Sequence, residues 1–313
     1  MSNILILGAA GFIGKNITCA MAEEHNITAF DRVCAPEFES FNNIKMIVDN
    51  YAEIEEFDKY LKNIDIVIHL ISTTVPCDDT SHIPDEIRNN VIPTVRLLES
   101  MVRTGVKKII FSSSAGAYYG ETGDIINNSV TRSNPYCSYG VQKVVIEDYI
   151  KFYGLRYGID YRIMRISNPY GWGQNPNKMQ GLIPIFINRL VHDEPISVFG
   201  DGENKRDYIF MSDLVNAVIK ICEYNGPQRV FNIGYGEYYS INEVISMIEY
   251  ISGQTFVRID HSDERFCDVR SSIVDMSEAQ KILGWKPQIS IHEGIKSVYE
   301  LTLSLAERKN NSV

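Results

Sequence analysis

The first fifteen residues constrain this chain most. The apolar run Ile4-Leu5-Ile6-Leu7 breaks at Gly8-Ala9-Ala10-Gly11-Phe12-Ile13-Gly14 and resumes as a helical pattern through Ile17 and Met21. That order reads as strand, glycine turn, helix. Glycines permit the tight turn and let backbone N–H groups approach a pyrophosphate, whose charge the start of a helix favours. A second strand, Ile27-Thr28-Ala29-Phe30, ends in Asp31, 17 residues beyond Gly14. This is close to the roughly 20 residues at which a carboxylate meets an adenosine ribose. The segment therefore predicts a dinucleotide site built from Gly8, Gly11, Phe12, Ile13, Gly14 and Asp31. An acid at position 31 disfavours a 2′-phosphate, so NAD is expected over NADP, although Arg32 next door leaves that open.

A third strand, Lys45 to Val48, ends at Asp49, and a fourth, Ile64 to Ile68, runs into His69-Leu70. Strands alternating with helices at this pitch imply a parallel sheet with ligands at the C-terminal ends of its strands. Asp49 is thus placed to meet the adenine, with a helix N-cap as its plain structural alternative. Leu70 and Ser72 are placed to line the cofactor groove, while His69 reads as a packed core histidine. In the next helix Pro93 removes a hydrogen bond and predicts a kink near Asn90, which is also assigned to the groove. The fifth strand, Lys108 to Phe111, leads into Ser112-Ser113-Ser114, hydroxyls at the end of a central strand where the nicotinamide end of a cofactor belongs.

Tyr139 and Lys143 stand four residues apart at the start of a predicted helix, so they share one face. An ammonium near a phenol favours the phenolate, bringing a group with a pKa of about 10 toward use as a base. Taken alone, the spacing equally fits a half-exposed aromatic beside a solvated charge. The glycine turn, Asp31 and the serines upstream turn it into a site.

The net charge is −10 with both signs scattered, which argues against nucleic acid or an anionic membrane as partner. The N-terminus lacks a basic lead and a signal-length apolar run, and no stretch reaches a membrane span, so a cytoplasmic protein is expected. Cys19, Cys34, Cys77, Cys137, Cys222 and Cys267 form no Cys-x-x-Cys pair, and the histidines show no metal-ligand spacing, so reduced thiols and no metal are expected.

Further motifs are Asn168-Pro169-Tyr170-Gly171, Phe199-Gly200-Asp201-Gly202, Arg206-Asp207-Tyr208, Asn232-Ile233-Gly234 and Leu283-Gly284-Trp285-Lys286-Pro287. Together with the glycine turn, Asp31, Ser114, Tyr139 and Lys143, they resemble the extended short-chain dehydrogenase/reductases, in the nucleotide-sugar branch typified by UDP-hexose 4-epimerases. The resemblance runs from Gly8 to Pro287 and is much less specific for the reaction than for the family. It implies an α/β protein: an N-terminal Rossmann-type doubly wound parallel sheet over 1–167, joined again by 207–235, and a smaller C-terminal α/β substrate-binding domain over 168–313. It implies bound NAD, Tyr139 as base, Lys143 on the nicotinamide ribose, and Ser114 on the sugar hydroxyl, 25 residues before the tyrosine. Here the loop departs from the family's common form, with Ala115-Gly116-Ala117 after the serine, so Ser113 stays an alternative. It further implies Asn168, Arg206 and Arg265 on the diphosphate, Phe199 on the uracil, and Ser272 as a small pocket wall leaving room for an acetamide. Helices starting near Asp85 and Tyr139 would build a homodimer. A reductase of an NDP-4-keto-6-deoxy sugar uses the same triad, and a non-catalytic NAD-binding protein would be expected to have lost the Tyr or the Lys.

Overall fold

A computed structural model describes residues 1–76, 82–121, 125–126, 131–177, 180–265 and 268–310. Cys77 and Cys267 lie outside the described residues. Chain order begins β1 (Asn3–Leu7), α1 (Phe12–Met21), β2 (Asn26–Asp31), β3 (Ile44–Val48) and β4 (Ile66–His69). It continues through α2 (Ile83–Glu86), a π turn (Ile87–Val91), α3 (Ile92–Thr104), β5 (Lys108–Ser114), α4 (Ala115–Tyr119), β6 (Ile125–Ile126), α5 (Ser138–Tyr157) and β7 (Asp160–Ile166). With β11 (Val230–Ile233), all of these strands except β6 form one parallel sheet in the order β11-β7-β5-β4-β1-β2-β3.

Both faces of a parallel sheet are covered, which is why its strands are continuous apolar runs. On one face Ile4 and Ile6 pack with Ile17, Met21, Leu214 and Val218. On the other, Leu5 and Leu7 pack with Leu97, Leu98, Ile146 and Ile150. Helices on both faces make the fold doubly wound. The sheet order turns back between β1 and β4, and an α/β fold binds ligands in the crevice at such a point.

The second core gathers Ile183, Phe186, Phe210, Val244 and Ile295. Its elements are β8 (Asn168–Tyr170), α6 (Leu182–Val191), β9 (Ile196–Phe199), β10 (Lys205–Phe210), α7 (Met211–Glu223), β12 (Tyr238–Ser240), α8 (Ile241–Ser252), β13 (Ile259–Ser262), β14 (Ser271–Val274), α9 (Ser277–Leu283) and α10 (Ile291–Asn310). Of these, α7 packs into the first core through Leu214, Val218 and Ile221, as do β14 through Val274 and α9 through Ala279, whereas Phe210 at the end of β10 faces the second. α7 begins at Met211, directly from β10, and no side chain caps it.

Pro93 is accommodated differently from a simple kink. The helix runs on from Ile83 to Thr104, and the π turn Ile87–Val91, which contains Asn90, interrupts its regular hydrogen bonding just before the proline. His69 is a buried core histidine: its Nε2 lies 3.0 Å from both Tyr51 Oη and Thr94 Oγ1, and burial holds its pKa down to about 3.

Candidate active site

The glycine turn lies against the end of β4. Gly8 has φ +87°, and a Cβ there would meet Ile71 N at 3.1 Å and the Leu70 carbonyl carbon at 3.2 Å. Leu70 is therefore at the groove. Gly11 is the N-cap of α1 with no side chain capping the helix, so its first-turn N–H groups carry the positive end of the dipole toward the crevice. Asp31 Oδ2 accepts from the Ala10 N–H at 2.9 Å and Oδ1 from the Arg32 N–H at 2.7 Å. Each oxygen keeps a lone pair for a hydroxyl. An uncapped helix start, a backbone cradle and a carboxylate at the end of β2 together fit a dinucleotide.

The other groove residues divide. Asp49 accepts from the Tyr60 hydroxyl and, at 2.8 Å, from the Asn50 N–H. The tyrosine's hydrogen bond holds its carboxyl below the usual range. The adjoining 3-10 turn is capped by Asn50, not Asp49. Ser72 is exposed and donates to the Thr74 carbonyl at 2.9 Å. Asn90 is 4% exposed. It accepts from the Thr73 N–H at 2.8 Å and donates to Thr73 Oγ1, the Glu86 carbonyl and Gln142 Oε1. Its side chain thus bolts the loop after β4 to α5.

The serines settle by register. Ser112–Ser114 belong to β5, paired with Met164–Ile166 of β7, so the strand runs three residues beyond its apolar segment. Alternation puts Ser113 on the face opposite Ser112 and Ser114. Ser113 is 3% exposed and donates at 2.6 Å to Glu147 Oε1, a buried carboxylate also held by Arg165 at 3.1 and 2.7 Å. Ser114 instead stands near Tyr139 and favours its ionised form.

Burial pushes the Tyr139 phenol up to about 12, Ser114 offsetting part of the rise. Ionising it costs about 3 kcal/mol more than in water. Lys143 Nζ lies 5.4 Å from the Tyr139 ring centroid. An ammonium on that side favours the phenolate and so opposes burial. Its own pKa is pushed down by burial to about 8, with Glu147 opposing. One of its three donors is used, on the Ser112 carbonyl at 2.8 Å.

A second cluster lies along adjoining strands. Ser114 registers with Ile166, two residues before Asn168, whose strand pairs β10 at Tyr208. Asn168 donates to the Asp207 carbonyl at 2.8 Å. Arg206, on β10, donates to the Val269 carbonyl at 2.6 Å and lies 3.6 Å from Asp268. Arg265 grips Asp268 with two bonds of 2.9 and 3.0 Å and stacks 4.3 Å from the centre of the Phe199 ring. Ser272, on β14, registers with Arg206; its side chain lies outside the described residues. Asp268, which joins the two arginines, escaped the sequence reading, as did Glu86 and Gln142 beside Tyr139.

Residues 4–234 match the family described as "NAD dependent epimerase/dehydratase family". The chain is 35% identical over 303 residues to the dTDP-4-dehydro-6-deoxyglucose reductase of Escherichia coli, covering 94% of this chain and 95% of the relative. It is 32% identical over 298 residues to a putative UDP-glucose 4-epimerase of Methanocaldococcus jannaschii, covering 94% and 96%. In structure it resembles the UDP-glucose 4-epimerase of Thermotoga maritima solved with UDP-glucose, with a TM-score of 0.89 and 31% identity over 97% of this chain and 99% of the other.

Proposed function

This chain belongs to the NAD dependent epimerase/dehydratase family, and on that premise we propose that it inverts C4 of a UDP-hexose through a transient 4-keto sugar. NAD is its cofactor. The observation that carries the reading is the meeting of Ser114 and Tyr139 with Lys143 behind them, one strand from a patch that joins two arginines to an aromatic platform.

NAD, when bound, would supply the acceptor and donor of the C4 hydride. Gly8, Gly11, Phe12, Ile13 and Gly14 hold its pyrophosphate, Asp31 its adenosine ribose and Asp49 its adenine edge. Leu70, Ser72 and Ser112 line the groove, Asn90 by fixing the loop that carries Thr73. Lys143 holds the nicotinamide ribose and stabilises the phenolate. Tyr139 takes the C4 hydroxyl proton while Ser114 orients that hydroxyl, so the residues supply positioning and proton transfer. Asn168, Arg206 and Arg265 hold the diphosphate as charge-assisted donors, and Phe199 stacks on the base. Anchored there, the sugar is free to turn its other face. A small Ser272 leaves space for an N-acetyl group, so both UDP-GlcNAc/UDP-GalNAc and UDP-Glc/UDP-Gal are in range.

The Escherichia coli relative favours a second reading, net reduction of a dTDP-4-keto-6-deoxy sugar by the same triad. The deciding experiment purifies the protein, assays retained NAD, and follows UDP-GlcNAc and UDP-Glc by NMR with no cofactor added. Appearance of the galacto epimer supports epimerisation. Inertness toward every UDP-hexose, together with NAD(P)H oxidation by the dTDP-4-keto sugar, overturns it.

Two predictions arise here. Turnover rises with pH as the phenolate fraction of Tyr139 grows and levels off above about 8, where each further gain in phenolate is matched by a loss of charge on Lys143. Lys143→Met should remove that break along with most of the rate, and an unaltered pH–rate profile would refute the assignment. The partner is a second copy of this chain: α5 leaves Val141, Tyr149, Phe152, Leu155 and Tyr157 exposed, beside Ile83, Ile87 and Ile92, an apolar face of the kind that marks an interface. Phe152→Asp should convert a dimer to a monomer in size-exclusion chromatography with light scattering. A wild-type monomer at the same concentration would refute the dimer.

A further inference from the structure

One carboxylate grips both sides of the Tyr139–Lys143 turn. Glu86, the last residue of α2, is 6% exposed, yet no ion pair of it occurs among the described residues. Its Oε2 accepts from Ser138 Oγ, immediately before Tyr139, and at 2.7 Å from Gln142 Nε2, immediately before Lys143. The other end of the Gln142 amide accepts from Asn90 Nδ2 at 2.9 Å. Gln142, 4% exposed, is thus spanned by an acceptor on one side and a donor on the other.

The negative charge sits at the first turn of a 20-residue helix, the end at which the helix dipole favours an anion. No side chain caps α5 through its N-cap residue Cys137, so Glu86 is what ties the helix start down. The π turn matters for this arrangement. Directly after Glu86 it carries Asn90, so one short stretch presents an acceptor and a donor to the same amide while also holding Thr73 of the loop beyond β4.

We propose that Glu86 is a positioning residue: through Ser138 and Gln142 it fixes the first turn of α5, and with it the placement of Tyr139 and Lys143 against Ser114 and the cofactor groove. The proposal rests on the roles given above to Tyr139 and Lys143. Reaction rates fall steeply when a reacting group is misplaced, by about 100-fold for 1 Å.

The test exploits the matched ends of the contact. Gln142→Glu sets two carboxylates face to face, whereas the double exchange Glu86→Gln with Gln142→Glu restores one donor and one acceptor while Asn90 keeps its bond. Gln142→Glu is expected to lower kcat roughly 10- to 100-fold with the KM for sugar nucleotide little changed. It should also speed hydrogen–deuterium exchange of the peptide spanning residues 138–150. The double exchange should recover both. A Gln142→Glu protein with unchanged kcat and exchange overturns the proposal, and so does a double exchange that fails to recover either. If the wild type turns over no UDP-hexose, the epimerase reading fails while the exchange arm still decides the clamp.

Discussion

Tyr139→Phe is expected to lower turnover by about 10²- to 10⁴-fold, the contribution of a positioned proton acceptor, while NAD stays with the protein through purification. The substitution removes one oxygen and leaves the ring. Lys143 keeps its bond to the Ser112 carbonyl, and the glycine turn and Asp31 are on other elements. Cofactor retention, read from absorbance after denaturation, should therefore match the wild type as the NMR signal of the product sugar disappears. A proteolysed or misfolded protein would lose both, and a protein with unchanged turnover would take Tyr139 out of its role. The expected loss is large because the phenol already stands near its limit. Burial raises its pKa to about 12, the ammonium of Lys143 opposes that rise, and Ser114 is a further neighbour that favours its ionised form. With the oxygen gone, no titratable group at hydrogen-bond range to Ser114 is left among the described residues to accept the proton.

What was legible in the sequence is what depends on neighbours in the chain. Gly8, Gly11, Gly14 and Asp31 announce strand, turn, helix and strand because backbone freedom and apolar runs are local properties. Those four residues do meet around one turn, with Asp31 bonded to the Ala10 amide. Position within the serine run was less legible. A strand's length is set by its neighbour, and only the pairing of Ser112–Ser114 with β7 puts Ser113 on the face opposite Ser112 and Ser114. The sign of the Tyr139 shift was hidden for a similar reason: four-residue spacing reveals the lysine but not the burial that opposes it. Glu86, 52 residues from Ser138, and Asp268, 62 from Arg206, had no local signature at all. An isolated acid in a helix reads as a solvated charge until the fold brings its partners to it. Pro93 announced an irregularity in its helix near Asn90, and there the helix carries a π turn.

Gly14→Ala should abolish NAD retention and lower the melting temperature. The reason is a distance: a Cβ at position 14 would lie 2.0 Å from the Gly8 carbonyl oxygen and 2.8 Å from Ala9 Cα. Both are backbone atoms of the turn and have no rotamer to escape into. To make room, α1 must draw back from the turn, and the uncapped helix start then loses its aim at the crevice between β1 and β4. Overpacking of this kind costs about 1–3 kcal/mol. In a chain of this size, with roughly 2–4 °C for each kcal/mol, a fall of several degrees is expected in the apo protein. The cofactor affinity should fall further still, by at least about 100-fold, since pyrophosphate binding needs several backbone N–H groups at once. Gly11→Ala is the control for the stability part of the argument. Its φ of −73° is open to any residue, and its added Cβ meets only the Gly8 carbonyl oxygen, at 3.3 Å. Its apo melting temperature should stay close to that of the wild type. Calorimetric titration with NAD and thermal melts of the stripped proteins check both. A Gly14→Ala protein that melts and binds like the wild type would show that the turn can yield, and that the close contact of α1 with Gly8 is not what shapes the site.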